Sequence, residues 1–87
     1  MELTGLTKKE LEELSYSSTF TNRCIAAAQG YALDRLINDS DFLVRVEVAK
    51  VTNDKKSLEK LAKDDNMLVR RVALKKLEEK KKIRAVG

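Results

Sequence analysis

The sequence predicts an all-α domain built from three tandem two-helix repeats, and three observations predict it. Segments 11–28 (LEELSYSSTFTNRCIAAA), 33–50 (LDRLINDSDFLVRVEVAK) and 58–75 (LEKLAKDDNMLVRRVALK) align, the second at an offset of 22 and the third at a further 25. Each has the same grammar: Leu-x-x-Leu, a polar turn, then an amphipathic stretch carrying an arginine and small apolar residues. The composition is 43% hydrophobic and 37% charged, with no proline and three glycines, which suits a folded helical chain and not a disordered one.

The elements follow in order. Thr7 and Glu10 have the spacing of a capping box, with Leu6 and Leu11 placed as a hydrophobic staple, and predict a first helix near 8–17. The polar turn SYSST leads into the second helix, which Gly30 stops. Leu33 and Leu36 repeat the leucine pair, and Asp41 caps the helix that begins at Phe42. The three residues that lengthen the second offset lie in KVTNDKKS, read as an enlarged turn. Asp54 caps the helix of Leu58 and Leu61. Asn66 caps a last helix from Met67 to about Lys82, with Leu68, Val69, Val72, Ala73 and Leu77 as its core stripe and Lys80–Lys82 near its C-terminus, where cations oppose the helix dipole favourably. Ile83–Gly87 is expected to fray. Phe20 and Phe42 recur in register and are assigned to the core. No two-helix unit buries its apolar face alone, so the whole of 1–87 is one domain, with repeats at about 8–30, 31–53 and 54–82.

Charge is distributed unevenly. Residues 1–49 carry a net −3 and residues 50–87 a net +7. Such asymmetry steers an acidic partner toward the C-terminal half, although exposed lysines also serve simply to keep helix faces soluble. A single cysteine, Cys24, allows no internal disulfide. MELTGLTKKE has acidic and polar residues where a signal peptide needs an apolar run, and no stretch approaches the roughly 20 apolar residues of a membrane span. A cytoplasmic protein is expected, with no membrane partner.

No set of residues suggests catalysis. There is no histidine to shuttle protons at neutral pH and no glycine-rich phosphate loop. Cys24 lies in an apolar run, where cysteine is most often a small core residue. Asp39, Asp41, Asp64 and Asp65 lie before helices, as caps do, without the glycine and terminal glutamate of a calcium loop. The chain is therefore expected to be non-enzymatic and to need no cofactor or metal.

With LINDSDFLVR and LAKDDNMLVR before them, VRVEVA (44–49) and VRRVA (69–73) resemble the HEAT-like repeats, especially the short leucine-rich repeat variants. The likeness covers residues 11–77. It is clean in the second repeat, lacks one spacing residue in the third, and is degenerate in the first, where Asn22-Arg23 replaces Val-Arg. The proline that the variant family usually carries in the turn is missing. The resemblance implies a right-handed superhelical stack, an α-α superhelix. It also implies a structural ladder in which a turn aspartate meets a second-helix arginine: Asp39 with Arg45 and Asp64 with Arg70, while Arg23, with Ser17 in the equivalent turn, reaches Asp39 instead. The alternative is that Arg23, Arg45 and Arg70 line a ridge that contacts phosphates.

Two functions follow. The first is a protein–protein interaction module or regulator of a larger protein, with Tyr16, Phe20, Tyr31 and Phe42 as candidate surface and a homodimer as one possible form. The second is nucleic-acid binding, as in those HEAT-like proteins that hold duplex DNA on a basic surface. Its candidates are Lys55, Lys56, Lys60, Lys63, Arg71, Lys75 and Lys82, with Lys76, Lys81 and Arg84, punctuated by Glu59, Asp64, Asp65, Glu78 and Glu79.

Overall fold

The structure is a computed structural model that describes residues 5–86, with side chains as far as Lys81. Six helices follow in order: α1 (Lys8–Ser15), α2 (Phe20–Ala28), α3 (Leu33–Leu36), α4 (Phe42–Val51), α5 (Lys55–Leu61) and α6 (Met67–Val86). No strand occurs among the described residues. Helices α2, α4 and α6 pack side by side, while α1, α3 and α5 each rest on the helix that follows. The smallest extent of the molecule, 19 Å, matches two helix diameters.

The core lies between these helices. Ala26 and Ala27 of α2, Val44, Val48 and Ala49 of α4, and Val69 and Ala73 of α6 are fully buried, with Leu36, Leu58 and Leu61 closing from the shorter helices. Small residues at these positions let the helix axes approach closely. The core stripe expected on α6 holds for Val69 and Ala73, fully, and for Val72 and Leu77, in part. It fails for Leu68, which is exposed. The pair equivalent to Val48-Ala49 is Ala73-Leu74, and only Ala73 is covered.

Four helix starts carry the expected caps. Thr7 Oγ1 accepts from Glu10 N at 3.1 Å and Glu10 Oε1 accepts from Thr7 N at 2.8 Å, a complete capping box. Asp41, Asp54 and Asn66 accept from the N–H groups of Leu43, Ser57 and Leu68 at 2.9, 3.0 and 2.9 Å. α1 ends at Ser15, two residues short of the expected end, and α6 continues to Val86, past the expected end at Lys82.

The three inserted residues do not enlarge a turn. α3 begins at Leu33, but α5 begins at Lys55, three residues ahead of the equivalent Leu58. The insertion adds a turn of helix because Asp54 caps it and Lys55 and Lys56 propagate it well. α3 cannot extend in this way, because Ala32 immediately before it is left-handed, with φ 56°.

Gly30 terminates α2 in a Schellman motif: Tyr31 N donates to Ala26 O at 3.0 Å and Gly30 N to Ala27 O at 2.9 Å. Its φ is +78°, and a Cβ added there would meet nothing nearer than Val51 Cγ1 at 3.9 Å. The cost of a side chain is therefore conformational rather than steric. Gly30→Ala is expected to lose about 1 kcal/mol, a drop of roughly 4–8 °C in melting temperature. Equal stability of variant and parent in a thermal melt would contradict this.

Candidate functional site

The arginines of the second helices form one repeated arrangement. Each donates through Nη1 to a carbonyl six residues before it, in its own turn: Arg23 to Ser17 O at 2.8 Å, Arg45 to Asp39 O at 2.6 Å, Arg70 to Asp64 O at 2.8 Å. The other edge of the guanidinium reaches forward to the next turn. Arg23 Nε and Nη2 meet the two Asp39 oxygens at 2.8 and 3.2 Å, and Arg45 Nε and Nη2 meet those of Asp64 at 2.8 and 3.1 Å. These are bidentate, charge-assisted pairs. Asp39 is thus joined to Arg23 of the preceding pair of helices, as expected. The carboxylate contacts expected of Asp39 with Arg45 and of Asp64 with Arg70 do not form. Six residues of separation bring the arginine back over the turn's backbone, so it finds the carbonyl there while the carboxylate points to the previous helix.

Each turn residue also closes its own turn. Ser17 Oγ, Asp39 Oδ1 and Asp64 Oδ1 accept from the N–H two residues on, at 3.1, 2.9 and 2.9 Å. Ser17 therefore reproduces the turn chemistry of the aspartates without their charge.

Hydrogen bonding to Asp39 and to Asp64 holds Arg23 and Arg45, respectively, above the ordinary arginine pKa despite partial burial. Burial pushes the Asp64 carboxyl up, but the Arg45 fork and the Asn66 N–H outweigh it and hold the carboxyl below its usual range. A carboxyl depressed in the folded state contributes stability that is present above its unfolded pKa of about 4 and is lost as pH falls through the folded value. Urea midpoints are therefore expected to fall below about pH 4, and Asp64→Asn is expected to flatten that fall. An unchanged pH profile in Asp64→Asn would refute the assignment.

The basic candidates separate into two groups. Lys60 Nζ donates to Asn38 Oδ1 and Lys76 Nζ to the carbonyls of Lys50 and Thr52 at 3.0 and 2.7 Å, as does Lys80 Nζ, from outside the candidate set, to the carbonyl of Asn53 at 2.7 Å. The last two place cations on the C-terminal end of α4, where the helix dipole favours them. Burial, with Lys80 nearby, lowers the pKa of Lys76. Lys55, Lys56, Lys63, Arg71, Lys75 and Lys81 are exposed on α5, α6 and the turn between them. The side chains of Lys82 and Arg84 lie outside the described residues.

Arg35, in α3, carries a contact that sequence reading passed over. Its Nη1 and Nη2 donate to Ser15 O and Ser15 Oγ at 3.2 and 2.8 Å, and its guanidinium lies 3.8 Å from the centroid of the Tyr16 ring. Nothing local announces it, because the partners are 20 residues apart. Tyr31 donates through its hydroxyl to Glu12 Oε1 at 3.0 Å, a bond that raises its pKa. Cys24 is half-buried against the core, and burial, followed by Glu47 and Asp41, raises its pKa. Among the described residues no group of three His, Cys, Asp or Glu side chains is placed to hold a metal ion, and no helix is long and apolar enough to cross a membrane.

Exposed apolar side chains line an edge of the surface. Arg23 and Arg45, in the first turns of α2 and α4, reach the turns that precede α4 and α6, so the N-terminal ends of the three helices lie side by side. Phe20, Phe42 and Met67 open those helices and are 37%, 36% and 62% exposed, with Leu43 and Leu68 exposed beside them. The core assignment of Phe20 and Phe42 is thereby corrected. A first-turn side chain leans toward the helix N-terminus and off the end of the packed layer.

Comparison with known protein families, curated proteins and solved structures finds no match for this chain.

Proposed function

We propose that the chain is a HEAT-like helical-repeat protein of the leucine-rich repeat variant kind, non-catalytic, that binds another protein along the edge formed by Phe20, Phe42 and Met67. The register of these three side chains carries the reading. Apolar residues scattered singly over a surface are ordinary, whereas a row of five along one edge, with Leu43 and Leu68, is the pattern of a docking surface. The arginine forks support the same reading, because they hold neighbouring helix pairs in fixed register and so preorganise the row.

The test is a Phe42→Ser, Met67→Ser double variant, both positions being exposed enough to leave the helix content unchanged by circular dichroism. Partners captured from the source cell by the parent are expected to fall at least tenfold with the variant. Equal capture would overturn the assignment of the edge. Concentration-dependent sedimentation of the parent that disappears in the variant would identify a second copy as the occupant.

Nucleic-acid binding is the second reading, favoured by the exposure of Lys55, Lys56, Lys63, Arg71 and Lys75. It requires binding to short DNA or RNA that weakens steeply between low and moderate salt. Absence of binding at low salt would remove it.

A further inference from the structure

The arginine ladder has two closed rungs and one open one. Arg23 and Arg45 each spend one edge on their own turn and one on the next carboxylate. Arg70 makes the first contact, to Asp64 O, but its Nε and Nη2 have no hydrogen-bond partner among the described residues and are not buried. Around it, α6 repeats the face that α2 and α4 turn to their successors. Ala27 and Ala49 on that face are fully buried, while the equivalent Leu74 is 53% exposed. Met67, Arg70, Arg71 and Leu74 share one side of the helix by spacing.

We propose that Arg70 is the receiving end of this ladder and takes, from a partner protein, an aspartate or glutamate in the turn that precedes a helix, seated over Leu74. The inference deepens the protein-binding reading and rests on it. Both closed forks in this chain select the same chemistry: a turn carboxylate that also accepts the N–H two residues on. Among the described residues, no ladder position of a second copy offers a free carboxylate. Asp39 and Asp64 are already engaged by Arg23 and Arg45, and the first turn carries Ser17, whose hydroxyl already accepts from Thr19 N and Asn22 Nδ2. Charge points the same way, since residues 50–87 carry a net +7 and favour an acidic partner.

The probe is a displayed library of two-helix hairpins in which one turn position is Asp, Asn, Ser or Ala and the helix faces are varied. Selected on the parent protein, hairpins with Asp are expected to exceed their Asn counterparts at least tenfold in affinity, because Asn keeps the shape and loses the bidentate ion pair. Arg70→Gln is expected to abolish that preference. Arg70→Lys, which keeps the charge without the fork, is expected to lose most of it and guards against a folding defect in the first variant. Binders that show no Asp preference, or an equal preference on Arg70→Gln, overturn the role of Arg70. If such binders are lost with Phe42→Ser, Met67→Ser, the apolar edge survives that result. If the library yields no binder to the parent protein, the role of Arg70 falls, and the apolar edge stands or falls with the capture comparison alone.

Discussion

Arg45→Ala is expected to cost about 3 kcal/mol in urea unfolding, a magnitude typical of removing one partner from a buried ion pair. The substitution deletes the fork onto Asp64 and the Nη1 contact to Asp39 O at once, together with the longer Nη2 contact to Asp65. It leaves the Asp64 carboxylate, 10% exposed, without its cation, and a turn carbonyl without its donor. Asp65, 95% exposed and 3.4 Å from Arg45 Nη2, contributes little to the pair, so Asp65→Ala is expected to change stability by less than about 0.5 kcal/mol. Arg45→Lys keeps a charge but cannot span the carbonyl and both carboxylate oxygens, and is expected to recover less than half of the loss. A cost under about 1 kcal/mol for Arg45→Ala would mean that the fork behaves as a solvent-screened surface pair and does not tie the helices.

Leu58→Ala is expected to be as damaging by a different route. Leu58 is completely buried where α5 meets α6, and truncation leaves a cavity that the rigid helix pair closes only in part. Such changes cost about 2–5 kcal/mol, set against a total stability of roughly 5–15 kcal/mol for a domain. The melting temperature is expected to fall by more than about 10 °C. Leu74→Ala is the control. The same chemical change at a half-exposed position is expected to cost less than about 0.5 kcal/mol. Equal losses at the two sites would show that α5 is not held against α6 as described.

What could be read from the sequence depended on how far apart the partners were. Caps at Thr7, Asp41, Asp54 and Asn66 were legible because a cap and its N–H lie within three residues. The all-helical class and the buried leucines were legible from the recurring Leu-x-x-Leu spacing. The arginine pairing was legible for Arg23 alone. With no carboxylate in its own turn, Arg23 has its nearest candidate partner in the next one. For Arg45 and Arg70 an aspartate six residues back offered a nearer and mistaken partner. The exposure of Phe20 and Phe42 was not legible, because recurrence in register marks an equivalent place in each unit without saying whether that place faces inward. The same limit hid the insertion, since an offset counts residues and does not say whether they are helical. Arg35 and its seat on Ser15 and Tyr16 gave no local signal at all.

Helix α4 is the one that packs against both α2 and α6, and four of its ten residues are buried apolar side chains. Energy therefore passes between the two ends of the molecule mainly through a single element. Amide exchange is expected to be slowest in α4, with the α1–α2 and α5–α6 pairs opening in separate, lower-energy events. Tightening of one end by a bound partner would slow exchange at the other only as far as α4 itself stiffens.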